Sequence, residues 1–438
     1  MTELTLLLTL LSPHLDSTTA KQLSIIAESI LTMTGRVTML GMSRWTEKGG
    51  SYRTIQRFFN KSIPWLTLNW VLIQSVLEKN KGVIVIAGDA TMITKAGKNT
   101  YASGKFYSSI YSRAVPGLSF QCLSLISVDT RKSWPIMIEQ MMPKEKASNV
   151  ITAKASPKRS KGRPKGSKNK TATDIKLNAE MTQVQCMLKK VMLLISKSIK
   201  PTYFVYDGAF GNSAAAKMTS DVNLYLISKL RFDSALYEPY KGEYSGRGAP
   251  KKYGNKVCFQ AMPEEYLCST EQENDMVIKI YQRELLHKKF NDPLNVVIIL
   301  KENKVTQKTS QVILFSTDLK LECDKIIEYY RLRFQIEFNF RDAKQHWGLE
   351  DFMVTQQDKV NNSAQISLFM VNVSQALMRK QQEDSVIDLK ARFHGLKYVK
   401  EVLKTLQKNG HDIKISPLLE EVSMLGRIHQ PKHLPLAA

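Results

Sequence analysis

The chain has 438 residues, 43% of them hydrophobic, with 63 Lys/Arg against 40 Asp/Glu and a formal charge of +23. Such an excess makes nucleic acid the expected polyanionic partner, and the length gives room for roughly two to four cored domains. Five scattered cysteines (Cys122, Cys186, Cys258, Cys268 and Cys323) exclude a paired disulfide scaffold or zinc spacing, and no apolar run reaches about 18 residues, so a cytoplasmic protein without a membrane span is expected.

Residues 1–78 read as a helical domain, with helical periodicity clear over Ala20 to Leu31. Within it Gly49 and Gly50 make a turn and Ser51 is a helix N-cap. The helix that follows sets Arg53, Gln56, Arg57 and Asn60 at i, i+3, i+4, i+7, a face suited to a DNA major groove and equally an ordinary solvated basic face. Residues 79–232 begin a strand-rich core. The run Gly82 to Thr91 is uninterrupted, apolar and β-branched, which predicts a strand buried on both faces and ending on Asp89. Two more strands are expected near Ser119 to Asp129 and Ser133 to Met142.

A basic flexible loop is expected over 150–172, because Lys154 to Lys170 has no acidic residue and is too polar to pack. Its Gly162-Arg163-Pro164-Lys165 resembles an AT-hook core, which lies extended in a narrow minor groove; a solvated linker that touches phosphates is the alternative, and both make Arg163 and Lys165 DNA contacts. Thr171 to Lys200 then reads as a long helix. Thr202 to Tyr206 repeats the earlier pattern of an apolar strand followed by Asp207 and Gly208. A helix over Asn212 to Met218 and a strand over Asn223 to Leu230 follow.

Residues 233–322 combine the Gly/Pro/Lys-rich stretch Lys241 to Lys256 with alternating segments at Asp275 to Gln282, Leu294 to Leu300 and Gln311 to Phe315. That predicts a β-rich subdomain, to which Arg247, Lys251 and Lys252 add positive charge. Residues 323–375 return to the core with a helix, and 376–438 read as helical, including Val386 to Gln407.

The core helix carries Tyr330, Arg333, Glu337 and Lys344 at spacings of +3, +4 and +7. At about 100° per residue these fall within roughly 60° of one another, so one stripe presents a carboxylate flanked by two cations and a phenol. Phe334, Ile336, Phe338, Phe340 and Trp347 spread apolar surface over the rest of the helix, which predicts that it is largely buried. A buried Glu337 then needs a cationic or metal partner. A single Asp at a strand end is ordinarily a turn or cap residue, but two such ends followed by a Glu on a helix converge at one sheet edge. Asp89, Asp207 and Glu337 are therefore the candidate catalytic and metal-binding triad. Carboxylates about 4 Å apart repel by about 4 kcal/mol at an effective dielectric of 20, so they stay ionised together only around a cation. With no Cys or His nearby, oxygen donors favour Mg²⁺, with Mn²⁺ as its substitute.

The pattern Y-x2-R-x3-E-x6-K resembles the signature of the YREK class of insertion-sequence transposases, the family numbered four, within the DDE transposases. The resemblance covers roughly residues 80–352 and implies an α/β, ribonuclease H-like catalytic core interrupted by an insertion, between a helical DNA-binding N-terminal domain and a helical C-terminal region. It implies that Asp89 bridges two metal ions while Asp207 and Glu337 each complete one. Tyr330, Arg333 and Lys344, with Arg341 beside them, would then lie on DNA phosphates. Implied too is a bacterial, nucleoid-associated enzyme that binds terminal inverted repeats on double-stranded DNA, cleaves there and transfers 3′ ends to target DNA, as a homodimer assembled on the DNA. Some relatives place a tryptophan of the insertion against a flipped base. Here no Trp lies between Trp134 and Trp347, so that role falls to Tyr240, Tyr244, Tyr253 or Tyr266 or is absent. The alternatives are a ribonuclease H-like endonuclease or junction resolvase without strand transfer, and an inactive DNA-binding derivative.

Overall fold

The computed structural model describes residues 2–46, 49–77, 82–108, 111–143, 175–244, 246 and 248–408. The expected basic loop, with Arg163 and Lys165, and Arg247 lie outside the described residues.

The chain opens with five helices, α1 (Thr2–Thr9), α2 (Ser17–Thr32), α3 (Met39–Trp45), α4 (Tyr52–Phe58) and α5 (Trp65–Leu77). Three of them begin at side-chain caps: Asp16 accepts from the Thr19 N–H at 2.9 Å, Thr38 from Gly41 at 3.0 Å and Ser51 from Thr54 at 3.3 Å. Each cap satisfies an amide that the first helical turn leaves idle. Then come β1 (Ile84–Thr94), β2 (Gly104–Ser108), β3 (Arg113–Ser127), β4 (Ser133–Met141), α6 (Ala179–Ile195), β5 (Tyr203–Val205), α7 (Ser213–Ser220) and β6 (Tyr225–Leu230). The strand β2 lies where no strand was expected, and the helix read over Thr171 to Lys200 is described only as α6.

Residues 233–322 are strand-rich, as their alternation implies: β7 (Leu236–Pro239), β8 (Tyr253–Lys256), β9 (Leu267–Glu273), β10 (Met276–His287), β11 (Leu294–Asn303) and β12 (Thr309–Ser316). They do not fold apart from the core. Ile313 to Ser316 of β12 pair with Ile227 to Leu230 of β6, so one mixed sheet runs β2-β3-β1-β5-β6-β12-β11-β10-β7-β8, with β4 also on β3 and β9 on β10. The open edge of β6 is what makes this possible, since an unpaired row of N–H and C=O groups accepts a further strand.

Four helices close the described chain: α8 (Cys323–Leu332), α9 (Gln335–Gln345), α10 (Gln357–Gln381) and α11 (Val386–Lys408). The central strands are apolar on both sides because helices cover both faces. On one face Ile84, Ile86, Phe204 and Leu226 pack with α5, α6 and α7. On the other, Val85, Ala87, Val205 and Ile227 pack under Ile326, Tyr329 and Leu332 of α8. A third core joins Phe58 and Trp65 of the N-terminal helices to Phe340, Phe369 and Phe393 of α9, α10 and α11.

That third core bears on the domain reading. The indole N–H of Trp65 donates to Asn362 at 2.7 Å, and the Asn362 amide donates to the carbonyls of Phe59 and Lys61, both at 2.9 Å. The N-terminal helices thus complete their burial against α9 to α11, and the boundary expected at 375/376 falls inside α10. A helix apolar on most of its circumference needs neighbours on all sides, which α10 takes from both ends of the chain.

Candidate active site

Two strands place the aspartates. β1 and β5 run parallel, with Ile86 opposite Phe204 and Ala87 opposite Val205. Asp89 and Asp207 each lie two residues beyond that last pair, and a period of two sends both towards the face of Ala87 and Val205, beneath α8. Asp89 is not at a strand end, as the apolar run implied. β1 continues to Thr94 because Asp89 to Thr94 pair with Gly117 to Cys122 of β3, and only the parallel partner β5 stops short. Gly88 faces the opposite way, where a Cβ would come within 2.7 Å of the Tyr206 ring and 2.8 Å of the Phe204 ring. Asp207 caps the turn after β5 by accepting the Ala209 N–H at 3.0 Å, while Ser228 of β6 donates to the Asp207 carbonyl at 2.6 Å.

The segment carrying Tyr330, Arg333, Glu337 and Lys344 is two helices, not one. α8 ends at Leu332, and Arg333 to Glu337 form tight i→i−3 bonds, among them Ile336 N–H to the Arg333 carbonyl at 3.1 Å and Glu337 N–H to the Phe334 carbonyl at 3.0 Å. The segment is also less buried than its aromatic content implied. Phe334 and Phe338 are exposed and pack edge to face on each other at 5.5 Å, and the Glu337 side chain is 45% exposed. Ile336, Phe340 and Trp347 are buried as expected.

Across this break Arg333 reaches the triad. Its Nη1 donates to the Asp89 carboxylate at 2.7 Å and its Nη2 lies 3.9 Å from Glu337, with the Arg333 side chain 15% and the Asp89 side chain 20% exposed. The Arg333 Nε–H is buried and has no partner among the described residues. Burial raises the Asp89 pKa to about 6, against the lowering effect of Arg333 and of the Ala90 N–H; the charges of Asp207 and Glu337 raise it further. Burial also raises Tyr330, partly offset by Arg333, whose guanidinium lies 6.0 Å from the Tyr330 ring.

So the structure brings Asp89, Asp207, Glu337, Tyr330 and Arg333 to one place. Among the described residues no group of three or more His, Cys, Asp or Glu is gathered closely enough to hold a metal ion. Where a metal was expected among the carboxylates, the Arg333 guanidinium is the cation that Asp89 and Glu337 share. The three carboxylates are the donor type a hard divalent ion prefers, but the expectation of no cysteine nearby is corrected: Cys122 pairs with Asp89 across β1 and β3, and its buried thiol is raised by burial and by the Asp89 charge.

The other expected contacts lie apart from this cluster of bonds. Lys344 donates to the Met92 carbonyl at 2.9 Å and pairs with Glu350 at 3.2 Å, so its ammonium already ties α9 to β1 and to the turn beyond α9. Arg341 pairs with Asp342 at 3.0 Å and lies over the Phe338 ring at 4.9 Å. Arg53 and Arg57 are exposed on α4. Lys251 sits over the Tyr240 ring at 4.6 Å, and Lys252 donates to the Asn291 carbonyl. The sequence reading missed Ser228, which holds Asp207 through its carbonyl, and the β2–β3 hairpin with exposed Tyr107 and Tyr111. Its local signal was the adjacent aromatic pair Phe106 and Tyr107 following Gly104.

The mixed sheet, the paired aspartates and the acidic helix agree with what comparison with known families finds. A family model described as DDE superfamily endonuclease matches residues 10–284, a span that includes Asp89 and Asp207 and stops before Glu337. No curated protein matches the chain. With well over half its length inside that family model, this chain belongs to the DDE superfamily of endonucleases.

Proposed function

We propose that the protein is a DNA transposase of the YREK class, which binds the terminal inverted repeats of its element as a homodimer on double-stranded DNA, cleaves there and transfers the 3′ ends to target DNA. The observation that carries this reading is the matched register of Asp89 and Asp207 with Arg333 joining Asp89 to Glu337. Supporting it, the strands β4-β3-β1-β5-β6 have three antiparallel members followed by two parallel to β1, the order of a ribonuclease H-like core. Strands β7 to β12 would then be the insertion, attached as a sheet extension.

In this reading Asp89, Asp207 and Glu337 hold Mg²⁺ or Mn²⁺, which when bound polarises the scissile phosphate and favours an attacking water or 3′-hydroxyl. Strand pairing fixes Asp89, and the Ser228 bond and the turn fix Asp207, so two of the three carboxylates are set before DNA arrives. Glu337, partly exposed and on a helix that follows a tight turn, is the ligand free to adjust. Tyr330 and Arg333 stand beside the carboxylates to grip a phosphate, whereas Arg53 and Arg57 on α4 bind DNA elsewhere; Arg163, Lys165 and Arg247 are proposed as further DNA contacts. The chain works at the nucleoid; among the described residues no helix is long and apolar enough to cross a membrane.

The test is cleavage and joining of DNA carrying the inverted repeats that flank the coding region, in Mg²⁺, by the wild type and by Asp89→Ala, Asp207→Ala and Glu337→Ala. Products joined to target DNA support transposition. Cleavage without joining would favour the nuclease alternative, and full activity of any triad variant would remove that residue.

A further inference from the structure

We infer that Arg333 is a counter-cation which competes with the divalent ion for the triad, so that metal loading is coupled to DNA arrival. The inference rests on the triad reading above. Its observations are the bond from Arg333 Nη1 to Asp89 at 2.7 Å and the approach of Nη2 to Glu337 at 3.9 Å. One fork of one side chain serves both carboxylates. A divalent ion needs the same oxygens, and two cations cannot share them at contact distance.

The geometry of Arg333 also says how it can leave. Its Nε–H is buried without a partner among the described residues, so the guanidinium is held through its other donors, by the two carboxylates and the Tyr330 side chain, and Nε–H gains nothing from this position. A phosphate offers oxygen acceptors in the planar spacing a guanidinium matches, and so can draw off the fork. The tight turn at Arg333 and Phe334 separates α8 from α9, which lets the side chain turn from one partner to the other without moving the buried Tyr329 and Leu332. Lys344 cannot replace it, being held by the Met92 carbonyl and Glu350. Arg333 is a positioning residue here: it acts on the metal through the carboxylates. Thermodynamic reciprocity follows, since whatever removes the guanidinium tightens the metal and whatever binds the metal frees the guanidinium for DNA.

The test is Mn²⁺ binding to the full-length, DNA-free protein, read from the electron paramagnetic resonance of free Mn²⁺. Arg333→Gln should bind Mn²⁺ about 5- to 150-fold more tightly than the wild type, the span of ordinary coupling energies. Arg333→Lys, which keeps the charge without the fork, should lie between them and covers the case in which the Gln variant fails to fold. A saturating mixed-sequence DNA duplex should tighten Mn²⁺ binding by the wild type and leave Arg333→Gln unchanged. Equal or weaker Mn²⁺ binding by both Arg333 variants would overturn the competition, and a duplex without effect on the wild type would overturn the coupling to DNA. Asp89→Asn separates this failure from that of the triad. If Asp89→Asn abolishes Mn²⁺ binding while the Arg333 variants match the wild type, the triad stands and the counter-cation falls. Mn²⁺ binding indifferent to Asp89→Asn removes both.

Discussion

Replacing Asp89 with Asn should stabilise the metal-free protein at neutral pH and not in acid. The Asp89 pKa is raised from 3.8 to about 6, chiefly by burial, in spite of the bond from Arg333. A carboxyl whose folded pKa lies above its unfolded value binds its proton more tightly in the native state. Stability therefore falls as pH rises from about 4 through about 6, and the whole cost is present above that window. A difference of about 2 pKa units corresponds to about 3 kcal/mol, an order of magnitude only, since each unit is 1.36 kcal/mol. At ~2.1 cal/mol/K per residue a chain of this length would shift its melting temperature by about 3 °C. Calorimetric melting of the metal-free wild type and Asp89→Asn at pH 7.5, stepped down to pH 4, gives the comparison. The variant should melt higher at pH 7.5, with the gain shrinking through pH 6 and gone near pH 4. A loss at pH 7.5 would show that the Arg333 bond outweighs the burial of the Asp89 charge, and a gain that does not change with pH would show that burial does not shift its titration.

The triad variants Asp89→Ala, Asp207→Ala and Glu337→Ala should each lose Mg²⁺-dependent cleavage while keeping affinity for inverted-repeat DNA, as mobility-shift assays would show; weakened binding by all three would place them in the DNA interface instead. Lys344→Met removes the bonds to the Met92 carbonyl and Glu350 and should cost about 1–3 kcal/mol in urea unfolding, with little change in the salt dependence of DNA binding. A salt slope reduced by about one contact, without loss of stability, would assign Lys344 to phosphate instead. Gly88→Ala puts a Cβ at 2.7 Å from the buried Tyr206 ring and should destabilise the fold by about 1–3 kcal/mol; an unchanged denaturation midpoint would mean that β1 and β5 slide apart at no cost.

How far the site was legible depends on whether its determinants are local. The two aspartates stood out because β-branched apolar runs need a sheet with helices on both faces, and the same run followed by Asp occurs twice, where a single Asp would read as a cap. That β1 continues past Asp89 was hidden, because its extension depends on pairing with Gly117 to Cys122, a partner no local pattern announces. The stripe of Tyr330, Arg333, Glu337 and Lys344 was read on an unbroken helix. The i→i−3 turn that interrupts it has no proline or glycine to mark it, yet it keeps Arg333 and Glu337 in contact. Aromatic content pointed to burial of the whole segment, but Phe334 and Phe338 satisfy each other edge to face at the surface, which composition cannot distinguish from a core pair. Nor could a pattern within one helix show a bond to Asp89, which lies 244 residues away. That bond changes the meaning of the arginine. On spacing and resemblance alone Arg333 is a phosphate contact, and in the folded chain it is the partner of Asp89. In the proposed exchange the two assignments are successive states of the same side chain, ordered by which anion reaches it.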